Sequence, residues 1–429
     1  MITFEDLYDA YLVTRRNKRR SADSVHFEIH WQRNLCQLYE DINNRNIRPT
    51  AYTFITTRPR PREVFACDMS MRIIHHYIDI RLRPLIEQRL TNRTFNNRVG
   101  YGQNVAINQV IEDIYDVSRG FTRDAWVFKM DLSGYFPNAS QDIVCNQLVS
   151  LTQESYYGPD KDELIYLIQH SIFSYPQLHC YRKSPLWKWS MIPDSKSLFK
   201  KPAGVGGAIG HLIWQNAMNY YLNDLDHWLT GLPDRSCSRE LPGLHYVRFV
   251  DDMVIVTDNK EAMLAFIPQI RARLAEYGCT LHPKKFYCQH YTKGVEFIGA
   301  HIKKDHVMLD QRTVHHAEQS IRRLNRCARE GKIKDLLASV NSYLGICKTR
   351  NGHRVALQLV AQINPAWWAF VHFNKQRTCL EANEGFKTTQ RLIRKYHLNP
   401  KIYDKRRKKS NAQRAARGGA PAGGVPQFN

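Results

Sequence analysis

The spacing of apolar residues predicts helices in the first part of the chain and again near its end. Five such residues recur every three or four positions, as on one face of an amphipathic helix: Phe27, Trp31, Leu35, Leu38 and Ile42. Residues 73–78 continue this helical pattern, and beyond residue 310 the pattern is helical throughout. Between these regions, segment 57–62 contains two prolines, which exclude a helix there.

The middle of the chain mixes both kinds of element. Short apolar runs predict strands over residues 126–130, 246–250, 253–256 and 295–299. Helical spacing predicts helices over residues 141–152, 203–227 and 260–277. Asp131 follows the first of these strands directly, and the pair Asp251–Asp252 separates the second from the third.

The amino-acid composition indicates what class of partner the protein binds. Hydrophobic residues make up 43% and charged residues 24% of the 429 positions, a globular balance that excludes a wholly disordered or fibrous protein. Lysine and arginine exceed aspartate and glutamate by 62 − 40 = 22, so the net charge is +22. Such an excess predicts a polyanionic partner, either nucleic acid or an acidic membrane surface.

A membrane location is disfavoured. The first residues show no basic segment followed by an apolar run, so no secretory signal is visible. The uncharged stretch 202–223 is long enough to span a bilayer, but its four glycines and its His, Asn and Gln residues are too polar for that. We therefore expect no membrane association and a cytoplasmic location.

Cysteine and histidine spacing predicts no structural metal. The ten cysteines are scattered from Cys36 to Cys379 without any C-x-x-C pair, which fits a reducing cytoplasm and indicates neither a disulfide scaffold nor a zinc site. The pairs His75–His76 and His315–His316 have no supporting cysteine or carboxylate spacing. All four histidines are interpreted as non-ligands.

The aspartates carry the sharpest chemical signal. Asp251 and Asp252 lie between two apolar strands, where carboxylates are costly unless a divalent cation neutralises them. Aspartate is also a common turn residue, so a solvated turn is the alternative interpretation. Asp131 ends another apolar strand and can meet this pair on adjacent strands of one sheet. Three carboxylates in one place can hold two Mg²⁺ ions about 3.5–4 Å apart, an arrangement suited to nucleotidyl transfer.

These segments resemble the reverse transcriptases of bacterial retroelements. Residues 126–136 (WVFKMDLSGYF) resemble the first catalytic motif of that family, and residues 246–252 (YVRFVDD) resemble its Y-x-D-D motif with Phe249 for the usual tyrosine. Residues 97–102, 281–285 and 297–299 resemble the second fingers motif, the lysine-bearing motif and the primer grip. The resemblance covers about residues 20–350, in the family's motif order.

One motif indicates which branch of this family the chain resembles. Where most members have Q-G-x-x-x-S-P, this chain has residues 209–215 as IGHLIWQ. Isoleucine for the first glutamine and glutamine for the proline resemble the diversity-generating branch and its defence-associated relatives. Trp214 replaces the serine of the diversity-generating type. With the basic C-terminus, this favours a defence-associated enzyme of type 2.

The resemblance implies an α+β, right-hand polymerase with Mg²⁺ as cofactor. It assigns metal binding to Asp131, Leu132, Asp251 and Asp252, and proton donation to the leaving pyrophosphate to Lys285. Nucleotide binding falls to Arg60, Arg62, Leu132, Phe136, Ile209, Gly210 and Gln215, with Phe136 as the gate that excludes a 2′-hydroxyl. Simpler interpretations stand beside these: a basic loop for the arginines, a surface lysine for Lys285 and core packing for Phe136 and Ile209.

Nucleic-acid contacts are expected from several basic segments. The strip Tyr181–Trp189 interleaves cations with aromatics and can stack bases, although a solvated insertion with buried tryptophans fits equally well. From Lys401 to Arg417 there are eight Lys/Arg and one Asp, which predicts a tail that orders only on RNA. The assigned residues are Arg98, Arg182, Lys183, Trp187, Lys188, Phe297, Gly299, Lys405, Arg406, Arg407 and Lys408.

The predicted organisation has four parts. Residues 1–115 form an N-terminal helix and fingers, residues 116–305 a palm with an insertion around 140–205, residues 306–400 a helical thumb, and residues 401–429 the tail. The predicted function is copying of a dedicated, structured non-coding RNA into DNA from deoxynucleoside triphosphates, in defence against phage. The alternatives are a diversity-generating enzyme that makes mutagenic DNA copies and a non-catalytic RNA-binding scaffold.

Overall fold

The computed structural model describes residues 1–16, 22–57, 60–231, 244–326 and 333–383. Its contacts divide the chain into two compact units, Met1–Val307 and Met308–Asn429. Antiparallel sheets and helices occur together, which confirms the predicted α+β class.

Helices account for more residues of the first unit than strands do. They are α1 (Phe4–Arg15), α2 (Ala22–Ile29), α3 (Trp31–Asn43), α4 (Met69–Arg89), α5 (Gln103–Val117), α6 (Gln141–Ser155), α7 (Lys161–Ile172), α8 (Pro176–His179), α9 (Leu186–Trp189), α10 (Leu212–Tyr221), α11 (Asn223–Thr230) and α12 (Lys260–Glu276). Within the described part of the chain, no helix has both the length and the apolar character needed to cross a bilayer.

The strands of the first unit are short. They are β1 (Ala51–Thr56), β2 (Arg62–Cys67), β3 (Trp126–Asp131), β4 (Cys180–Arg182), β5 (His245–Phe249), β6 (Asp252–Thr257), β7 (Tyr287–His290), β8 (Val295–Phe297) and β9 (Ala300–Ile302), and β10 (Val307–Leu309) contains the boundary between the units.

A four-stranded sheet forms the centre of the first unit. Its strand order is β5-β6-β3-β7, and every neighbouring pair is antiparallel. Alternate residues of each strand enter different cores: Phe128 and Ile255 belong to one apolar cluster, and Val127 and Val254 to another. Because both faces are covered, most residues of β3 and β6 are apolar, and Asp131 and Asp252 lie at the ends of these strands.

A second sheet carries the basic segment with the prolines. Strands β1 and β2 form an antiparallel hairpin, and β4 adds to β1 in parallel. The N–H of Phe65 in β2 donates to the C=O of Ile209 at 2.7 Å, which fixes the glycine-rich loop before α10 against this hairpin.

That loop corrects one predicted helix. Residues 203–211 are not helical, because Gly204, Gly206 and Gly210 adopt positive φ angles and the helix begins only at Leu212. Apolar spacing did not reveal this break, since Ala, Val and Ile between the glycines continue the periodicity.

The second unit is built mainly from helices: α13 (Gln311–Asn325), α14 (Ile333–Thr349) and α15 (His353–Ala361). They pack around buried residues such as Ile321, Leu336 and Trp367. The expectation of helices alone beyond residue 310 is wrong, because β11 (Val371–Phe373) and β12 (Leu380–Ala382) form an antiparallel hairpin. These three-residue strands are too short to produce a recognisable alternation in the sequence.

Candidate active site

The central sheet brings the predicted carboxylates together. In the pairing of β3 with β6, Asp131 lies directly opposite Asp252. Asp251 occupies the two-residue turn between β5 and β6. The N–H of Leu132 donates to the C=O of Asp251 at 3.1 Å, so the two motifs are joined by their backbones.

The turn that presents Asp251 is strained and held in place. Val250 has a φ of 59°, a left-handed conformation that is unfavourable for a β-branched residue. The N–H of Val250 donates to Oδ1 of Asn96 at 3.0 Å, and its C=O accepts from Nη1 of Arg248 at 3.2 Å. These side chains stabilise a turn that its own sequence disfavours.

Arg248 is the centre of a buried network beneath this turn. Its side chain is fully buried and pairs with Asp226, with Nε 2.8 Å from Oδ1. The hydroxyls of Tyr246 and Thr94 also donate to Asp226, at 2.8 and 2.9 Å. Nη2 of Arg248 donates to the C=O of Asn219 at 2.8 Å. We call these residues the Arg248 network; they position the Asp251–Asp252 turn.

Sequence reasoning did not find this network. The available signal was Arg248 itself, an arginine in the middle of an apolar strand, which a buried position allows only with an ionic partner. The partner, Asp226, lies 22 residues earlier on α11, and no local pattern identifies it.

The carboxylates crowd one another. Burial, followed by the charges of Asp252 and Asp131, raises the pKa of Asp251 to about 6. Oδ1 of Asp131 is buried without a hydrogen-bond partner. Lys285 donates to Oδ2 of Asp131 at 2.6 Å, and Nζ of Lys129 lies 3.3 Å from Asp252. Two lysines therefore offset part of the negative charge.

This arrangement fits divalent cations. A buried carboxylate oxygen without a partner and a carboxyl group whose pKa is raised by its neighbours are both stabilised when a cation binds. The three aspartates do not form a compact cage, since among the described residues the one group of three ligand atoms within 4.8 Å lies elsewhere. Ligands distributed around a wider site suit Mg²⁺, which takes much of its coordination from water and phosphate oxygens.

The segment that carries Lys285 is tied to the first motif. The N–H of His282 donates to the C=O of Asp131 at 2.7 Å, and the N–H of Ser133 donates to the C=O of Thr280 at 2.8 Å. Lys285 is partly exposed, with 35% of its side chain accessible. Its ammonium group therefore contacts Asp131 while part of the side chain remains open to solvent.

Phe136 and the glycine-rich loop are neighbours. The C=O of Phe136 accepts from the N–H of Gly207 at 2.9 Å, and the ring is half-buried against the core. Gly210 has a φ of 110°, and a Cβ atom there would lie 2.4 Å from the backbone oxygen of Phe65. Glycine at 210 is therefore required by the fold. Ile209 is half-buried, and Gln215 is exposed on α10.

The predicted phosphate-binding arginines lie at the β1–β2 hairpin. Arg60 lies in the loop and Arg62 begins β2, and both are exposed. Their neighbours Arg58 and Pro59 lie outside the described residues. The hairpin belongs to the sheet that fixes Ile209, so Arg62 and the glycine-rich loop share one strand as support.

The cationic–aromatic strip is largely exposed. Trp187 is 64% exposed, whereas Trp189 is half-buried and donates from Nε1 to the C=O of Ser184 at 3.0 Å. The guanidinium of Arg182 lies 4.1 Å from the ring of Phe199, and Nζ of Lys183 lies 3.6 Å from the ring of Tyr52. Nζ of Lys188 lies 5.5 Å from the ring of Trp187. The interpretation with both tryptophans buried does not hold for Trp187.

Three predicted nucleic-acid residues have other environments. Nη1 of Arg98 donates to the C=O groups of Thr91 and Thr94 at 2.7 and 2.9 Å, so this guanidinium stabilises its own loop. Phe297 is fully buried in the core, which corrects its assignment as a contact residue. Gly299 lies in the turn between β8 and β9 with a φ of 71°. The predicted contacts Lys405 to Lys408 lie outside the described residues.

Comparison with known proteins places the chain in a family. Residues 56–302, more than half of the chain, match the family described as reverse transcriptase (RNA-dependent DNA polymerase). The chain therefore belongs to the reverse transcriptase family, which confirms the predicted enzyme class, an RNA-directed DNA polymerase. No curated protein sequence matches the chain.

Solved structures of telomerases show a distant likeness. Apo telomerase from Candida tropicalis is 12% identical, with a TM-score of 0.46 over 75% of this chain and 58% of that chain. Telomerase from Candida albicans in complex with a fragment of telomeric RNA is 11% identical, with a TM-score of 0.41 over 77% and 59% of the two chains. The chain thus spans less than two thirds of the length of these telomerases.

Proposed function

We propose that the protein extends a DNA primer along an RNA template at the site formed by Asp131, Asp251 and Asp252. The observation that carries the proposal is the pairing of Asp131 with Asp252 across β3 and β6, with Asp251 in the adjoining turn. Three carboxylates meet at the end of a sheet that is apolar on both faces. A site of this kind is costly for folding and is explained by a catalytic role.

Each side chain has a stated task in this proposal. Asp131, Asp251 and Asp252, with the backbone of Leu132, hold Mg²⁺. When bound, Mg²⁺ lowers the pKa of the primer 3′-hydroxyl and stabilises the charge of the leaving pyrophosphate. Arg60 and Arg62 bind the triphosphate through bidentate guanidinium contacts.

The remaining residues select and complete the reaction. Lys285 holds the proton that the pyrophosphate takes up. Phe136 excludes ribonucleotides by crowding the 2′-hydroxyl. Ile209, Gly210 and Gln215 line the place of the templating pair, where isoleucine provides no amide to hydrogen-bond and pairing is checked loosely.

Primer extension with single-site variants tests the proposal. Asp131→Asn and Asp251→Ala should each reduce Mg²⁺-dependent extension of an RNA–DNA primer template by at least about 10³-fold, because carboxylate ligands to the ions are lost. The matched control is Asp258→Asn, an exposed aspartate that follows β6 and should leave extension unchanged. Substantial extension by both site variants would exclude the assignment, whereas no extension by the wild type would favour the non-catalytic scaffold.

The proposed template is a dedicated, structured RNA, and the proposed role is defence against phage in a bacterial cytoplasm. The net charge of +22 supports salt-sensitive binding to any nucleic acid, so recognition of one RNA must come from shape and from stacked bases. The exposed Trp187 and the cations beside it support the strip Tyr181–Trp189 as one source of such contacts. The basic tail with Lys405, Arg406, Arg407 and Lys408 is the proposed second source.

Sequencing of the RNA that copurifies with the protein tests this part. One enriched RNA is the expected result, and a random sample of transcripts would contradict it. Removal of residues 401–429 should reduce capture of that RNA yet spare extension on a pre-annealed primer template. DNA products that match a neighbouring template repeat with dispersed substitutions would instead favour the diversity-generating role.

A further inference from the structure

A second group of potential metal ligands lies away from the carboxylates. Cys67 ends β2, His75 lies in α4, and His211 directly precedes α10. One ligand atom from each lies within 4.8 Å of the others, and all three side chains are buried. Two residues close in sequence and a third that is distant in sequence thus converge with the donor atoms that Zn²⁺ prefers.

The imidazoles in this group lack the hydrogen bonds that buried polar atoms normally make. Nε2 of His75 and both ring nitrogens of His211 are buried without a hydrogen-bond partner. His75 is 1% exposed and His211 is 2% exposed. Three unsatisfied buried nitrogens in one place are a substantial cost unless something else binds them.

The distances are close to those of a coordinated ion. Sγ of Cys67 lies 3.7 Å from Nδ1 of His75. Tetrahedral Zn²⁺ with bonds of about 2.0–2.3 Å places its ligand atoms about 3.3–3.8 Å apart. The ligand atoms all lie within 4.8 Å of one another, so a contraction of at most about 1.5 Å at any edge completes the geometry. Burial lowers the pKa of both histidines, so each ring is neutral and retains a lone pair for a metal.

We propose that Cys67, His75 and His211 bind one Zn²⁺ ion that fastens the glycine-rich loop to the β1–β2 hairpin and α4. The thiol of Cys67 releases its proton to solvent when the ion binds. A cavity of about 580 Å³ is lined by Cys67, His75 and Gly210, and it supplies both an entry path and room for a water molecule as fourth ligand. The ion reinforces the link from Phe65 to Ile209 two residues away.

The site is separate from the carboxylates in sequence and in ligand type. Its contribution is structural: it holds the loop of Ile209 and Gly210, and none of its ligands belongs to the carboxylate motifs. Sequence spacing did not suggest it, because Cys67, His75 and His211 form no short metal-binding motif. The interpretation of His75 as a non-ligand followed from that spacing alone.

Metal analysis of the intact protein tests the proposal. After incubation with Zn²⁺ and gel filtration, the wild-type chain should retain about one equivalent, measured by inductively coupled plasma mass spectrometry. Cys67→Ser and His211→Gln should each weaken Zn²⁺ binding at least about 100-fold. The matched control Cys145→Ser alters another buried cysteine and should retain the ion. Equal retention by wild type and Cys67→Ser, or none by wild type, would overturn the proposal.

Cobalt substitution gives a second readout, which needs no variant of the three ligands to fold. Co²⁺ bound by one thiolate and two imidazoles should give a sulfur-to-cobalt charge-transfer absorption together with tetrahedral visible bands. Asp251→Asn should keep that spectrum unchanged, which separates this site from the carboxylates without any measurement of polymerisation. A Co²⁺ complex of the wild-type chain without the sulfur band would show that Cys67 is not a ligand and would contradict the site.

Discussion

Two groups of buried charges meet at the turn between β5 and β6, and they differ in how completely their charges are compensated. In the Arg248 network, Arg248 and Asp226 are fully buried, and every side-chain nitrogen and oxygen of both has a hydrogen-bond partner. Among the carboxylates, Oδ1 of Asp131 has no such partner, and burial with neighbouring charges raises the pKa of Asp251 to about 6.

The Arg248 network supports the turn, whereas the carboxylates form the candidate site. A fully satisfied ion pair keeps the turn in one position, since any movement would expose unpaired charge. The negative charge of the carboxylates is only partly compensated, so these groups can still bind a cation. The strained Val250 joins the two groups, and the hydrogen bonds of Arg248 and Asn96 hold it there.

The largest expected effect is on the stability that the Arg248 network provides. Asp226→Asn removes the partner of a buried guanidinium and should lower the free energy of unfolding by about 3–5 kcal/mol. Urea denaturation followed by circular dichroism measures it. Asp224→Asn, an exposed residue on the same helix, serves as the control and should change stability by less than about 0.5 kcal/mol. An equally small change in stability for Asp226→Asn would contradict the role of the Arg248 network as a support for the turn.

In metal-free buffer, Asp251→Asn should raise the free energy of unfolding, whereas Asp226→Asn should lower it. The pKa of Asp251 is raised from 3.8 to about 6, so the folded state favours its protonated form. The stability from this preference is present below pH 3.8 and is lost as pH rises through 6, at about 1.4 kcal/mol per pKa unit. At pH 8 the variant should therefore be more stable than wild type by up to about 3 kcal/mol.

The same two proteins give the control for that prediction. At a pH below 3.8 their stabilities should converge, because Asp251 is then protonated in both states of the wild type. Added Mg²⁺ should stabilise the wild type more than Asp251→Asn at pH 8. Equal stability of the two proteins at pH 8 without metal would show that the carboxylates do not repel one another.

Lys285→Met should affect catalysis far more than folding. The ion pair with Asp131 is partly exposed, so its loss should cost less than about 1 kcal/mol of stability. Loss of the proposed proton donor should reduce the single-turnover rate of primer extension by about 10²-fold. Lys284→Met, the exposed neighbouring lysine, should keep the wild-type rate. An unchanged rate for Lys285→Met would mean that Lys285 only balances the charge of Asp131.

Phe136→Val tests the edge of the carboxylate site and has the smallest expected effect. A smaller side chain should admit the 2′-hydroxyl and raise ribonucleotide relative to deoxyribonucleotide incorporation by about 10-fold. Competitive incorporation with both sugar types measures the ratio. Phe173→Val alters another half-buried phenylalanine of the same core and should leave sugar selectivity unchanged. The same ratio in both variants would make Phe136 an ordinary core residue.

Local sequence patterns were sufficient to predict the strands that carry the three aspartates. Strand patterns over 126–130 and 253–256 agree with β3 and β6, because an apolar run that ends in aspartate is a local signal. The expectation that Asp131 meets Asp252 on adjacent strands agrees with the observed register. The motif order around these residues was also sufficient to indicate the reverse transcriptase family.

The partners of the buried polar residues are visible only in the folded protein. Asp226 with Arg248, and Cys67 with His75 and His211, are groups of residues that lie on different elements. The glycine-rich loop was predicted as helix because local periodicity does not record the close approach of Gly210 to Phe65. Apolar spacing reports which face of an element is buried, whereas the partner of a buried polar group depends on how the elements pack together.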